Sequence, residues 1–136
     1  MSTVQTEQSN MKPIHFVPSI VWFLLILVLI SIPGEELPES EFLFSINFDK
    51  LVHAGLFGMQ VILLCYALNK SNASIAQKKQ LYILVTFLSC LWGLGTECIQ
   101  LYFVHNRTFS WMDFIADSVG ALIALPLCFR YLLRKA

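Results

Sequence analysis

The sequence predicts an all-α protein, a four-helix transmembrane bundle with both termini cytoplasmic. Three observations predict it. The 136-residue chain is 57% hydrophobic and 13% charged, with a mean hydropathy of +0.67, whereas a soluble domain carries about 25% charged residues. The apolar residues fall into four runs, at about 14–32, 49–68, 81–101 and 112–133, each long enough to cross a hydrocarbon layer as a helix. The few basic residues are divided unevenly between the connections. Only helices or closed barrels satisfy their backbone groups in lipid, and these runs lack the alternation of barrel strands.

Residues 1–13 are polar without an amphipathic pattern and read as a flexible tail; residues 14–136 form one transmembrane domain. The first run is uncharged and ends at Pro33-Gly34. It reads as an uncleaved span, because its basic residue lies far from Met1 and no A-x-A-like site follows. An acidic connection follows, with Glu35, Glu36, Glu39 and Glu41. The second and third spans are joined by about 69–80, which holds Lys70, Lys78 and Lys79. The fourth span ends among Arg130, Arg134 and Lys135. The first and third connections hold only Lys50 and Arg107, so the positive-inside rule places both termini in the cytoplasm and those two connections outside.

The formal net charge is zero and no basic stripe is present, which excludes a nucleic-acid partner. The four cysteines, Cys65, Cys90, Cys98 and Cys128, lie in apolar runs without CxxC spacing and read as small buried side chains. No cofactor is expected.

Polar residues inside the spans carry the functional information. A carboxylate costs roughly 2.5–3.5 kcal/mol at a helix centre on insertion scales and less near the ends. Asp49 and His53 share a face of the second helix at i, i+4 spacing, with Gln60 two turns on. On the third, Thr86, Cys90, Gly93, Glu97 and Gln100 form one stripe, as do Asp113, Asp117, Gly120 and Ala124 on the fourth. Each stripe is polar toward its outer end and small deeper in, and such stripes pack against one another in lipid. The first helix has none and is expected to be a peripheral anchor. The pattern predicts one outward-facing polar pocket, floored by small residues, with Arg107 above it as partner of Glu97.

Blander roles compete at each position. Asp49 and Lys50 suit a helix cap at the interface, Asp113 a first-turn acid favoured by the helix dipole, and His53 a packing histidine. His105 and Asn106 read as loop residues, and Tyr102 and Trp111 as interfacial anchors.

With these residues placed, the chain resembles the VanZ-like family of small bacterial membrane proteins. The likeness rests on Asp49-Lys50-x-x-His53 with Phe57, on Glu97-x-x-Gln100, on Arg107-x-x-Ser110-x-x-Asp113, and on Gly120. It covers about 48–125. Members often carry asparagine where Asp117 stands, so this site holds an added acid. The family takes its name from an accessory protein linked to teicoplanin resistance. The resemblance implies an integral protein of the bacterial cytoplasmic membrane and implies no substrate.

The ligand-binding set read from the sequence is Asp49, Lys50, His53, Glu97, Gln100, Arg107, Ser110, Asp113 and Asp117, with His53, Glu97 and Asp113 as the acid–base candidates should the site be catalytic. Its expected partners are membrane lipids and a lipid-linked or glycopeptide envelope component. The competing reading is a structural or assembly subunit whose polar cluster locks the bundle. A proton or ion path is weaker, since the stripes thin toward the cytoplasmic side. Rhomboid-type proteases, lipid phosphatases and CAAX-type proteases each need residue pairs that are absent here. A cation on His53, Glu97, Asp113 and Asp117 suits the ligand chemistry, but Arg107 among them argues against it, so no metal is expected.

Overall fold

Apolar sequence in lipid has one economical backbone solution, and the chain adopts it four times. In the computed structural model, residues 11–33 and 48–135 are described. The first ten residues of the expected tail and residues 34–47 of the acidic connection lie outside them. A 3-10 turn at Pro13–Phe16 leads into α1, Val17–Ile30. It is followed by α2, Phe48–Asn69, α3, Ile75–Phe103, and α4, Trp111–Tyr131, with a last 3-10 turn at Leu133–Lys135. Among the described residues there is no strand, and four helical segments are long and apolar enough to cross a membrane, the first being Pro13–Ile30, the 3-10 turn together with α1.

One boundary differs from expectation. Helix α3 begins at Ile75, so the connection from α2 is far shorter than 69–80. The cause is a capping box: Ser74 Oγ accepts from Gln77 N at 3.3 Å, and Gln77 Oε1 accepts from Ser74 N at 2.9 Å. At 29 residues, α3 is about 43 Å long, against a hydrocarbon core of about 30 Å. Its polar first turns, with Lys78 and Lys79, therefore belong to the membrane surface. Lys78 is buried and donates to Asn69 O at 2.8 Å, capping the carbonyl end of α2. Asn69 in turn donates to Leu132 O at 3.2 Å. These bonds fasten the basic end of the bundle.

Burial follows the polar and small stripes. The buried residues are His53, Phe57, Gln60, Val61, Cys65 and Ala67 on α2, and Asp113, Asp117, Gly120, Ala121, Ala124 and Cys128 on α4. On α3 they include Tyr82, Thr86, Gly93, Glu97 and Gln100. Exposed Leu84, Phe87, Leu88, Leu122 and Ile123 face the other way, as a lipid-contacting surface requires. Buried hydroxyls are returned to their own helices: Thr86 donates to Tyr82 O and Thr96 to Gly93 O. The cysteines divide, contrary to expectation. Cys65 and Cys128 are core residues and Cys90 is half-buried, but Cys98 is exposed on the outer face of α3; an apolar run has a lipid side as well as a core side.

Helices α2 and α4 make the most extensive contact, α3 packs against both, and α1 is outermost. Only 17% of the first span is buried, against 33% of each of the others. Yet α1 is fastened: Trp22 Nε1 donates to Leu56 O at 2.9 Å, and Ile26 and Ile30 pack against Phe57.

The α2–α4 crossing depends on Gly120. A Cβ built there would lie 2.0 Å from Ala54 O, and one on Gly58 would lie 3.0 Å from Gly120 O. Backbone meets backbone, so neither side can yield by a rotamer change. Gly120→Val is expected to push the helices apart and to cost roughly 1–3 kcal/mol or more, measured as a lower melting temperature of the detergent-purified protein. Gly55→Ala, where a Cβ meets nothing within 4 Å, is expected to keep that temperature or raise it slightly, since Ala favours the helix by roughly 0.4–1 kcal/mol.

Candidate functional site

The crossing at Gly120 brings the polar ends of α2, α3 and α4 together. His53 precedes Ala54 on α2, and Asp117 lies one turn before Gly120 on α4, so the contact fixes their separation. His53 Nδ1 is 2.8 Å from Asp117 Oδ1. The other ring nitrogen, Nε2, faces Asp49 Oδ1 at 3.9 Å and Asp113 Oδ2 at 4.0 Å. Lys50 bridges the two outer carboxylates. Its ammonium donates to Asp49 Oδ2 at 3.1 Å and to Asp113 Oδ1 in a short contact.

Helix α4 opens at Ser110. Its side chain accepts from Asp113 N at 3.2 Å as the N-cap, while its own backbone N–H donates to Glu97 Oε2 at 2.8 Å. Glu97 is thereby tied to the head of α4. The sequence could not show this backbone donor, since any residue type supplies one.

Arg107 does not pair with Glu97. Its Nε donates to Ile32 O at 3.4 Å, and among the described residues it enters no ion pair. Gln100 acts alongside it, donating to Ile30 O at 3.4 Å. A helix leaves its last carbonyls without intrahelical donors; Gln100 and Arg107 serve that end of α1. Both residues thus hold the first helix to the bundle. Asn106 turns the connection, with φ of 55°, a conformation that asparagine tolerates. Tyr102 and Trp111 are exposed at this end, as interfacial anchors would be.

Of the predicted site residues, Asp49, Lys50, His53, Glu97, Ser110, Asp113 and Asp117 meet, in a packed cluster with an accessible rim, while Gln100 and Arg107 turn to the end of α1. His53, Glu97, Gln100, Asp113 and Asp117 are buried, Glu97 and Asp117 completely. Lys50 and Ser110 are half-buried and Asp49 is exposed. The small floor is present: a Cβ on Gly93 would lie 3.0 Å from Asp117 Cβ and 3.2 Å from its Oδ2. Two groups of three potential ligands share His53. One adds Asp49 and Asp113, the other Glu97 and Asp117, with one ligand atom from each residue within 4.8 Å of the others.

These features define a multi-pass membrane protein with an ionisable cluster at one end of its helices. A family model described as VanZ/LLP1 matches residues 1–134. The chain belongs to the VanZ/LLP1 family. No match is found among curated proteins or solved structures.

The Lys50–Asp113 contact is the cluster's one bridge with an ammonium between helix ends. Removing the base would leave Asp113 buried with less compensation. Lys50→Ala and Asp113→Asn are each expected to destabilise the purified protein. Together they should cost less than the sum of the two, with a coupling of roughly 0.5–3 kcal/mol in a double-mutant cycle. Coupling near zero would show Lys50 to be a surface side chain only.

Proposed function

We propose that this end of the bundle engages the charged headgroup of a lipid-linked or glycopeptide envelope component at the outer face of the bacterial cytoplasmic membrane. One observation carries the proposal: ionisable groups from three helices converge on one end, buried within and accessible at the rim. The basic residues of the opposite end, Lys70, Lys79, Arg130 and Arg134, support a cytoplasmic position for that end by the positive-inside rule. Both termini then lie in the cytoplasm and the cluster faces outward.

The accessible rim consists of Asp49, Lys50 and Ser110. Lys50 offers a cation to a phosphate or carboxylate, exchanging one of its present partners for the ligand. Behind it stand His53 and Glu97, the groups that would move a proton if a bond is made or broken. His53 is oriented by Asp117 through the 2.8 Å contact.

A second reading has its own support. The Lys50–Asp113 bridge joins α2 to α4, and the Ser110–Glu97 bond joins α3 to the head of α4. A cluster with those bonds alone would serve as a lock for an assembly subunit.

Glu97→Gln separates the two. It keeps the size and an oxygen to accept from Ser110 N–H, and removes the charge. Wild type and variant are to be expressed in a glycopeptide-sensitive Gram-positive host, with membrane amounts compared by blot. The expected outcome is raised teicoplanin tolerance with wild type and none with an equally abundant variant. An equally abundant and fully active variant would overturn the headgroup reading, as would no effect of wild type on teicoplanin or vancomycin. Loss of the variant from the membrane would favour the lock.

A further inference from the structure

Among the described residues, two buried carboxylate oxygens have no hydrogen-bond partner: Glu97 Oε1 and Asp117 Oδ2. Both residues are 0% exposed. A carboxylate withdrawn from water is costly unless its oxygens are paired, and one buried against an uncovered oxygen costs more. The remaining bonds do not remove the deficit. Glu97 accepts one backbone N–H from Ser110, and Asp117 meets one imidazole nitrogen.

The two groups of potential ligands around His53 differ in this respect. The outer group, Asp49, His53 and Asp113, already has its cation, because Lys50 lies on both carboxylates. The inner group, His53, Glu97 and Asp117, is buried and, among the described residues, has no lysine or arginine on it. Arg107, the base that would have filled this role, is turned to Ile32 O. The objection that Arg107 raised against a metal in the sequence therefore falls.

We propose that His53, Glu97 and Asp117 bind a divalent transition-metal ion, of the Zn2+ or Mn2+ class, between α2, α3 and α4. One imidazole with two carboxylates is a donor set for such ions. An ion about 2.0–2.2 Å from each ligand holds neighbouring ligand atoms roughly 3.0–3.5 Å apart. Nδ1 lies 2.8 Å from Asp117 Oδ1, and one ligand atom from each of the three residues lies within 4.8 Å of the others, so side-chain rotation brings the uncovered Glu97 Oε1 and Asp117 Oδ2 onto an ion shared with His53. Metal at Nδ1 requires the proton on Nε2. That nitrogen faces Asp49 Oδ1 and Asp113 Oδ2 at 3.9 and 4.0 Å, beyond hydrogen-bond length, so the carboxylate bond that metal-bound histidines commonly donate forms only when one of the two closes on it. Gly93 admits the Asp117 carboxylate against the backbone of α3, at the contact distances given above, leaving the three ligands as the walls of the site.

The test uses the full chain in detergent, stripped with a chelator and titrated with Zn2+ or Mn2+ alone. One ion per chain is expected in calorimetry and in metal analysis after gel filtration. Asp117→Asn and Glu97→Gln should each weaken binding by at least roughly a hundredfold, the most that loss of an outer-shell partner costs, while His105→Gln, changing an exposed loop histidine, should leave it unaltered. Binding that survives both carboxamide variants, or that follows His105, would identify an adventitious ion only and overturn the proposal. Should the variants fail to fold, Mn2+ on the wild type decides: coupling to one imidazole nitrogen in its pulsed paramagnetic resonance is expected, and its absence, or no retained ion, refutes the site. No headgroup enters this titration. A chain that binds no metal yet loses teicoplanin tolerance in Glu97→Gln refutes the ion and spares the headgroup reading; the reverse pattern does the opposite.

Discussion

The contact between the backbones of α2 and α4 at Ala54 and Gly120 sets most of what is distinctive in this molecule. Lipid supplies little hydrophobic drive for two apolar helices to associate, so close van der Waals approach and hydrogen bonds between them must do so. Gly120 allows an approach that any side chain would prevent. Once the axes are this close, the residue beside Ala54 and the residue a turn from Gly120 fall opposite one another. The His53–Asp117 contact follows from that register, and the Lys50–Asp113 bridge lies one turn further toward the membrane surface. Packing and electrostatics are thus linked in sequence: a small residue fixes the distance at which the charges meet.

The two ends of the bundle solve the problem of exposed helix termini differently. At the basic end, Lys78 and Asn69 are spent on backbone carbonyls of α2 and α4. At the acidic end, Gln100 serves the last carbonyl of α1 and Arg107 the Ile32 carbonyl just beyond it, and Ser110 caps α4. Polar side chains at a helix end in a membrane have this obligation before any other. What is left after it has been met is the informative remainder: Lys50, His53, Glu97, Asp113 and Asp117, whose partners are mostly each other. Arg107 leaves that remainder once its carbonyl is seen.

How much of this was legible in the sequence depends on the kind of interaction. Four spans, their approximate limits and the buried faces of α2, α3 and α4 follow from hydropathy and from helical spacing of polar and small residues. The convergence of Asp49, His53, Glu97, Asp113 and Asp117 at one end follows as well, because charged groups avoid lipid and each lies near the same end of its span. Pairing was less accessible. Arg107 was the natural partner for Glu97 by charge, but a backbone N–H took that place, and an amide donor has no signature in composition. The start of α3 was readable in principle from Ser74-x-x-Gln77; lysines after it drew the boundary inward, since a span and a helix need not have the same length. Cys98 was misplaced because residue type alone does not distinguish the core side of an apolar helix from its lipid side.

Charge at the acidic end remains unequal when every visible bond is assigned. Lys50 serves two carboxylates, and the imidazole of His53 lies against a third. Among the described residues, Glu97 has only a backbone amide on one oxygen and nothing on the other. If the cluster's role were to hold helices together, neutral groups of the same shape would do so at lower cost, since burying ions between helices returns little net stability. Asparagine in place of Asp117 would still contact His53, and glutamine in place of Glu97 would still accept from Ser110. Acids at both positions bring an energetic burden that helix packing does not require. The burden is relieved by a positive charge that reaches the carboxylates.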